Sequence, residues 1–526
     1  VTLTQALKKH IKNTNTFGDL AAAAGPVETA RRFPVHNPST GELLAGLPDM
    51  QVSDVALAID RADDARERWA GLTARERSDI LWRWHELIVD HIDDLAAILT
   101  CEMGKPLVEA KSEISHAAAY VQWYAEEANR IYGETIAAPS TDRRLLVIKQ
   151  PVGVVGAITP WNFPASMVAR KIAPALAAGC TVVLKPAEQT PLVAGAMFAL
   201  ARMAGFPEGV LNLIYASDGD AVGKELCSNP KVRKISFTGS KEVGRLLMRQ
   251  RSDQIKRISF ELGGNAPFIV FDAAVDGAIQ AKFRNGGQTC VSANRIYVQA
   301  SVYYLFSERF AECVRRLQVG DGFKPDTAIG PLIDTHALAK IEAHVDDAVK
   351  KGAMVRCGGR RIGAKGTFFE PTVITNVVGS MRIAQEETFG PLAPIIRFED
   401  PEQVIREAND TIYGLAAYFY ASNLKRVWRA WSASIPAACH RRPHPSEASS
   451  SPALAAKARG TVSRTISKCS TSAWAASNAG CRPPTSTPGS PMLKSGSPQK
   501  KRLPSTDVLR QPSRLGGELI AEASIE

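Results

Sequence analysis

The sequence predicts an α/β fold of two segments with largely parallel sheets, followed by an irregular C-terminal tail. Three observations carry this. Between residues 145 and 238, short β-branched runs alternate with stretches of helical periodicity, the pattern of strands joined by crossover helices. A second stretch of the same kind runs from Ala266 to about Tyr420. The last 96 residues change character, with 18 Ser, 11 Pro and no Phe or Tyr.

Taken in order, residues 51–130 read as helices. Val55, Leu57, Ala58, Ile59 and Ala62 form one apolar stripe at helical spacing, and Ile80, Leu81, Trp84 and Leu87 form another. Residues 145–151 (LLVIKQP) read as a strand. Residues 152–158 (VGVVGAI), apolar and preceded by Pro, read as a buried strand. Residues 171–178 read as a helix, 180–184 as a strand and 192–204 as a helix. Residues 210–215 and 234–238 complete the strand set. Residues 1–32 carry no pattern that fixes a structure. The tail, 431–526, has too little apolar surface to offset the entropy of ordering and reads as a basic disordered extension.

A chain of 526 residues is long enough for two or three domains with large cores. Hydrophobic content of 45% and charged content of 22% are ordinary for a soluble globular protein. No apolar run is long enough to span a bilayer. Residues 1–12 contain Lys but no apolar signal core, so secretion is not indicated. Nine cysteines lie scattered without CxxC pairs or metal-ligand spacing. That implies reduced thiols in a cytoplasmic setting and argues against a disulfide framework or a metal site. The net charge of +11 sits mainly in the tail: residues 1–430 hold 51 Lys and Arg against 48 Asp and Glu, and residues 431–526 hold 13 against 5. The body therefore gives little reason to expect nucleic-acid binding.

Two runs carry the chemistry. In residues 283–290 (FRNGGQTC), Cys290 follows small and polar residues that let another molecule approach the sulfur. In residues 260–265 (FELGGN), Glu261 offers a carboxylate on a glycine-flexible segment. Thiol plus carboxylate is the minimum kit for covalent catalysis followed by hydrolysis. Four further segments lie where α/β sheets bind ligands, in loops at strand ends. They are 159–164 (TPWNFP), 185–188 (KPAE), 237–240 (FTGS) with Gly244 beyond it, and 387–391 (ETFGP). Taken alone, the first reads as a turn, the second as a surface Lys/Glu pair and the last as an acidic loop closed by Gly-Pro. A lone cysteine is more often structural than catalytic.

In this order the segments resemble the aldehyde dehydrogenase superfamily, whose two signature segments match 260–265 and 283–290 almost residue for residue. The resemblance covers residues 33–428. It implies a Rossmann-type dinucleotide-binding domain from residues 1–128 and 152–263, a bridging or oligomerisation segment at 129–151, and a catalytic domain at 264–430. It implies Cys290 as nucleophile, Glu261 as the base that activates water, and an oxyanion held by Asn162 and the Cys290 backbone N–H. Cofactor contacts implied are Trp161, Lys185, Glu188, Gly239, Ser240, Gly244, Leu262, Glu387 and Phe389. Lys185 and Glu188 would meet the adenosine ribose, Glu387 the nicotinamide ribose and Phe389 the nicotinamide side. A carboxylate at 188 favours NAD over NADP, although Lys185 could help hold a 2′-phosphate.

Within the superfamily, 161–170 (WNFPASMVAR), 185–189 (KPAEQ) and 282–285 (KFRN) most resemble the succinate-semialdehyde dehydrogenases. Arg170 and Arg284 match the positions that hold the distal carboxylate there. Each reads, in isolation, more readily as a structural ion-pair residue. Ser292 removes the redox partner that some relatives place near the cysteine. The implied partners are a small aldehyde and further copies of the chain, with no membrane.

Two departures stand out. Glu261 and Cys290 are 29 residues apart, a few fewer than the family shows, with the gap near residues 271–275. This puts the placement of the Cys290 loop in question. The family's glycine-rich C-terminal segment and terminal strand are also missing. Read one base out of register with GC-biased codons, residues 430–474 conceal a peptide similar to that segment, so the tail is expected to be a frameshift product. Resequencing the gene across codons 427–429 tests this, and a confirmed frame with no alternative reading would sink it. A weakened oligomer is expected from the loss. Two other readings stand beside the enzyme: an inactive relative that lacks the C-terminus, and a basic-tailed scaffold or nucleic-acid-binding protein.

Overall fold

The computed structural model describes residues 3–24, 30–271 and 274–421. The expectations for residues 431–526 lie outside these.

The helices at 51–130 bury their apolar stripes, Val52–Ala70 against the first sheet and the later ones against neighbouring helices. Val52–Ala70 buries Val55, Ala58, Ile59 and Ala62 on one face. Ala74–Asp90 starts at a reciprocal cap: Thr73 Oγ1 accepts from the Glu76 N–H at 3.3 Å and the Glu76 carboxylate accepts from the Thr73 N–H at 2.7 Å. The buried indoles of Trp69 and Trp84 donate to the carbonyls of Leu176 and Met197, which ties these helices to later ones.

The first sheet is all parallel. Its strand order is Leu211–Leu213, Thr181–Lys185, Val154–Ile158, Val232–Gly239 and Arg257–Leu262. The chain winds outward from Val154–Ile158 in one direction, then crosses back to the other side at Val232–Gly239. The carboxyl ends of these two strands therefore flank a topological switch point, the usual ligand crevice of such a sheet. The α/β reading holds, with differences of extent that are largest at two elements. The helix expected at 171–178 is Pro164–Ala177, with Pro164 pre-set for a first-turn position. The strand expected at 145–151 is only Leu145–Val147, paired antiparallel with Glu134–Ile136 in an exposed hairpin.

The second sheet runs Met354–Cys357, Thr372–Thr375, Leu392–Phe398, Ala293–Gln299, Ala266–Val270 and Tyr418–Tyr420, with only the first strand antiparallel. It is buried on both faces: Phe268 and Val270 point into one core and Ile269 into the other. Near the start of the chain, Phe17 and Leu20 are buried, and Arg32–His36 pairs with Leu43–Pro48. No helix among the described residues is long and apolar enough to cross a membrane.

Candidate active site

Cys290 lies between the short turn Arg284–Gly287 and the strand Ala293–Gln299. The turn is tight because Asn285, Gly286 and Gly287 all adopt positive φ, at 54°, 62° and 75°. Glycine is the residue for such a bend. A Cβ on Gly287 would collide with the Gly390 backbone, and one on Gly264 with the Cys290 carbonyl. The glycines therefore let three segments close on one another: 263–264, 285–290 and 387–390. Asn285 carries a side chain in the left-handed region and is held there. Its N–H donates to Glu109 at 2.9 Å, and its Nδ2 to the carbonyls of Asn162 and Gln288 at 3.0 and 3.1 Å.

The Cys290 thiol is pushed up to about 11, by burial first and then by the carboxylates of Glu387 and Glu261, with Arg170 acting the other way. Glu261, near the end of the last strand of the first sheet, has an oxygen 3.6 Å from Arg170 Nη2. The structure thus brings Cys290, Glu261, Arg170 and Glu387 into one electrostatic group. Beside it, Lys171 is buried and donates to Ser236 Oγ at 3.2 Å. Burial, then Arg170, bring its pKa down to about 7, while Glu261 opposes them.

Asn162 is buried in the loop that leaves Val154–Ile158, and its Nδ2 donates to the Gln288 carbonyl at 3.1 Å. One amide proton remains for a developing oxyanion. Its own carbonyl accepts from Lys105 Nζ at 2.8 Å. Lys105 in turn pairs with the buried Glu113 at 2.5 Å. The other Glu113 oxygen accepts from the N–H groups of Ala165 and Ser166, at 2.9 and 3.2 Å, and so caps the helix Pro164–Ala177. Sequence reading missed Lys105, Glu109, Glu113 and Lys171. The one signal available was the i,i+4 spacing of Glu109 and Glu113 beside Lys105.

On the crevice side, Ser240 caps the helix Lys241–Gln250, accepting from the Val243 N–H at 3.2 Å. Gly244 lets that helix lie against Leu262, whose side chain a Cβ would strike. Gly239 ends its strand packed on the Phe237 ring. Lys185 Nζ meets Glu188 at 3.0 Å and the Pro186 carbonyl at 3.1 Å, so this pair is bound to itself and local backbone. Trp161 and Phe389 meet edge to face at 5.3 Å, with Phe389 at a φ of 55°. Glu387 accepts from the Gly264 N–H at 2.9 Å, and burial raises it to about 7. Arg284 stacks on the Phe163 ring at 5.4 Å, whereas Arg170 faces Glu261.

A model of the aldehyde dehydrogenase family matches residues 26–438. The chain belongs to the aldehyde dehydrogenase family. This aldehyde dehydrogenase is 75% identical, over 436 residues, to a probable succinate-semialdehyde dehydrogenase [NADP(+)] of Sinorhizobium fredii, which spans 82% of this chain and 89% of the relative. It is 55% identical over 431 residues to the succinate-semialdehyde dehydrogenase [NADP(+)] of Escherichia coli, covering 80% of this chain and 89% of that one. Among solved structures, the succinate-semialdehyde dehydrogenase of Burkholderia pseudomallei is similar, with a TM-score of 0.79 at 49% identity, covering 81% of this chain and 89% of that chain.

Proposed function

We propose that this aldehyde dehydrogenase oxidises succinate semialdehyde, or a close aldehyde with a distal carboxylate, to the acid with reduction of NAD(P). The observation that carries the reading is the convergence of Cys290, Glu261, Asn162 and Arg170 from two sheets onto one loop. The names of the similar enzymes supply the substrate class.

The residues present fit a dinucleotide. The switch-point crevice is flanked by Thr159 and Thr238, whose buried hydroxyls lack a hydrogen-bond partner. The helix Lys241–Gln250 aims its N-terminus, with Ser240, along the same strand end. Trp161, Lys185, Glu188, Gly239, Ser240, Gly244, Leu262, Glu387 and Phe389 would hold the cofactor. Bound NAD(P) supplies the acceptor for the hydride that leaves the thiohemiacetal. Glu188 favours a free ribose 2′-hydroxyl, while the Lys185 ammonium at 3.0 Å offsets its charge and leaves room for NADP.

In this reading the Cys290 sulfur attacks the aldehyde carbon. The free Asn162 amide proton and the Cys290 backbone N–H stabilise the oxygen that becomes negative. Glu261 removes a proton from the water that splits the resulting thioester, releasing the acid and restoring the thiol. Arg170 and Arg284 draw the distal carboxylate. In this reading the catalytic segment is 264–430, and residues 129–151 are the bridging or oligomerisation segment. Leu146 and Ile148 at that hairpin are 72% and 74% exposed, which suits cover by another copy. The six cysteines among the described residues are free thiols, which fits the cytoplasm.

The test is nicotinamide reduction by the full chain with succinate semialdehyde, compared with an uncharged aldehyde of equal length. The expected result is a kcat/KM preference for the semialdehyde that falls in Arg170→Met and Arg284→Met. Equal use of the two aldehydes would overturn the substrate class.

A further inference from the structure

Lys282, on the helix Val275–Phe283, is completely buried, and among the described residues it forms no ion pair. Its Nζ has three neighbours: Ser292 Oγ at 3.2 Å, Asn294 Oδ1 at 3.1 Å and Thr388 Oγ1 at 3.2 Å. Each meets Nζ with a lone pair. The Ser292 hydroxyl donates to the Lys282 carbonyl at 3.3 Å and the Thr388 hydroxyl to Asn294 Oδ1 at 2.6 Å. Asn294 Nδ2 donates to the Gly264 carbonyl at 3.4 Å, which leaves its oxygen for the lysine. Three acceptors match the three protons of an ammonium, whereas a neutral amine has only two donors and a lone pair with nothing to accept.

We propose that Lys282 is a positioning residue whose ammonium joins the segment after Cys290 to the segment carrying Glu387 and Phe389, so that nucleophile and cofactor side keep one register. This rests on the reading of Cys290 as nucleophile and of Glu387 and Phe389 as cofactor contacts. The hydrogen bonds close a ring. It passes from Lys282 through Asn294 to the Gly264 carbonyl, from the Gly264 N–H to Glu387 at 2.9 Å, and through Thr388 back to Lys282. Burial opposes the charge and brings the lysine down to about 7, while Glu387 raises it. A buried ammonium without a carboxylate beside it costs stability. Its place in the core is therefore explained by what it positions.

The experiment is Lys282→Met in the full chain. Methionine fills similar volume and removes the charge. The melting temperature should hold or rise, while kcat falls on the order of 10²-fold, the loss expected for misplacement by about an ångström. The cofactor KM should rise as well, because Glu387 and Phe389 lose their tie. Thr388→Val, which keeps the ammonium, should give a partial loss, and the double variant should be no slower than Lys282→Met alone. Wild-type kcat and cofactor KM in Lys282→Met would overturn the proposal, as would a lowered melting temperature that accounts for the lost activity. If Lys282→Met does not fold, Thr388→Val decides, and unchanged kinetics in it would overturn the proposal. Cys290→Ala separates the two levels. If it still turns over, the underlying reading fails. If it is inactive while Lys282→Met is normal, only the role of Lys282 falls.

Discussion

The surroundings of Cys290 oppose the ionisation that its proposed role as nucleophile needs, and this gives a measurable sign. Burial and the carboxylates of Glu387 and Glu261 raise the thiol from 9.0 to about 11. A thiol is neutral below its pKa, so at pH 8 roughly one molecule in a thousand carries the thiolate. Only the thiolate is alkylated by iodoacetamide. In the cofactor-free enzyme, alkylation of Cys290 should therefore climb about tenfold per pH unit from about pH 7 to about pH 10, without a plateau. Glu261→Gln removes one repelling charge and weakens the hold on Arg170 of a carboxylate 3.6 Å away. Both changes favour the thiolate. Alkylation at about pH 8 should accelerate, by about tenfold at most, which corresponds to one pKa unit or ~1.4 kcal/mol. Turnover should move the opposite way, falling about 10²–10⁴-fold with the loss of a general base. Mass spectrometry of the Cys290 peptide reads the first rate and nicotinamide absorbance the second. Slower alkylation in Glu261→Gln would refute the argument, since Glu261 would then be taking the thiol proton. A plateau centred near about pH 8 would refute it too, since the site would then be stabilising the thiolate.

Three other outcomes are expected. Cys290→Ala should abolish turnover and leave the cofactor Kd unchanged by fluorescence titration; substantial turnover would remove Cys290 from its role. Glu188→Ala should lower the NAD-over-NADP ratio of kcat/KM, because each charged hydrogen bond lost to a ribose hydroxyl costs roughly 1.5–3 kcal/mol. An unchanged ratio would place Glu188 away from the ribose. Gly287→Ala puts a side chain at a φ of 75° against the Gly390 backbone. It should lower stability in chemical denaturation by about 1–3 kcal/mol, the cost of a strained backbone position, and a neutral result would show that the 285–290 turn can relax.

The α/β class and the site loops were legible because their signals are local. The run 152–158 needs only its own apolarity to read as a buried strand. The runs 260–265 and 283–290 need only their glycines and one reactive side chain. What was not legible depends on partners far along the chain. The helix Pro164–Ala177 begins seven residues before the expected start because its first N–H groups are capped by Glu113, from a different helix. Lys105, Lys171 and Lys282 look like ordinary surface lysines in sequence, yet all three are buried. Only the packed structure reveals that their neighbours are Asn162, Ser236 and Thr388.

The short interval between Glu261 and Cys290 can be judged in the same terms. It falls near residues 271–275, where the strand Ala266–Val270 gives way to the helix Val275–Phe283. From that side the helix Val275–Phe283 reaches the segment after Cys290 through Lys282, whose carbonyl accepts from Ser292 Oγ at 3.3 Å. Glu109 grips the Asn285 N–H, Asn162 and Asn285 share a hydrogen bond, and Gln288 is fixed to Pro331 and Ile333 at 3.2 and 3.0 Å. Glu113, one turn along the same helix from Glu109, holds the start of the helix that follows Asn162. A single helix, Leu107–Ala128, therefore sets the loop of Asn162 and the loop of Cys290 against each other, although they come from different sheets. The two glutamates thus tie the Asn162 loop to the Cys290 loop by bonds that do not pass through the interval between Glu261 and Cys290.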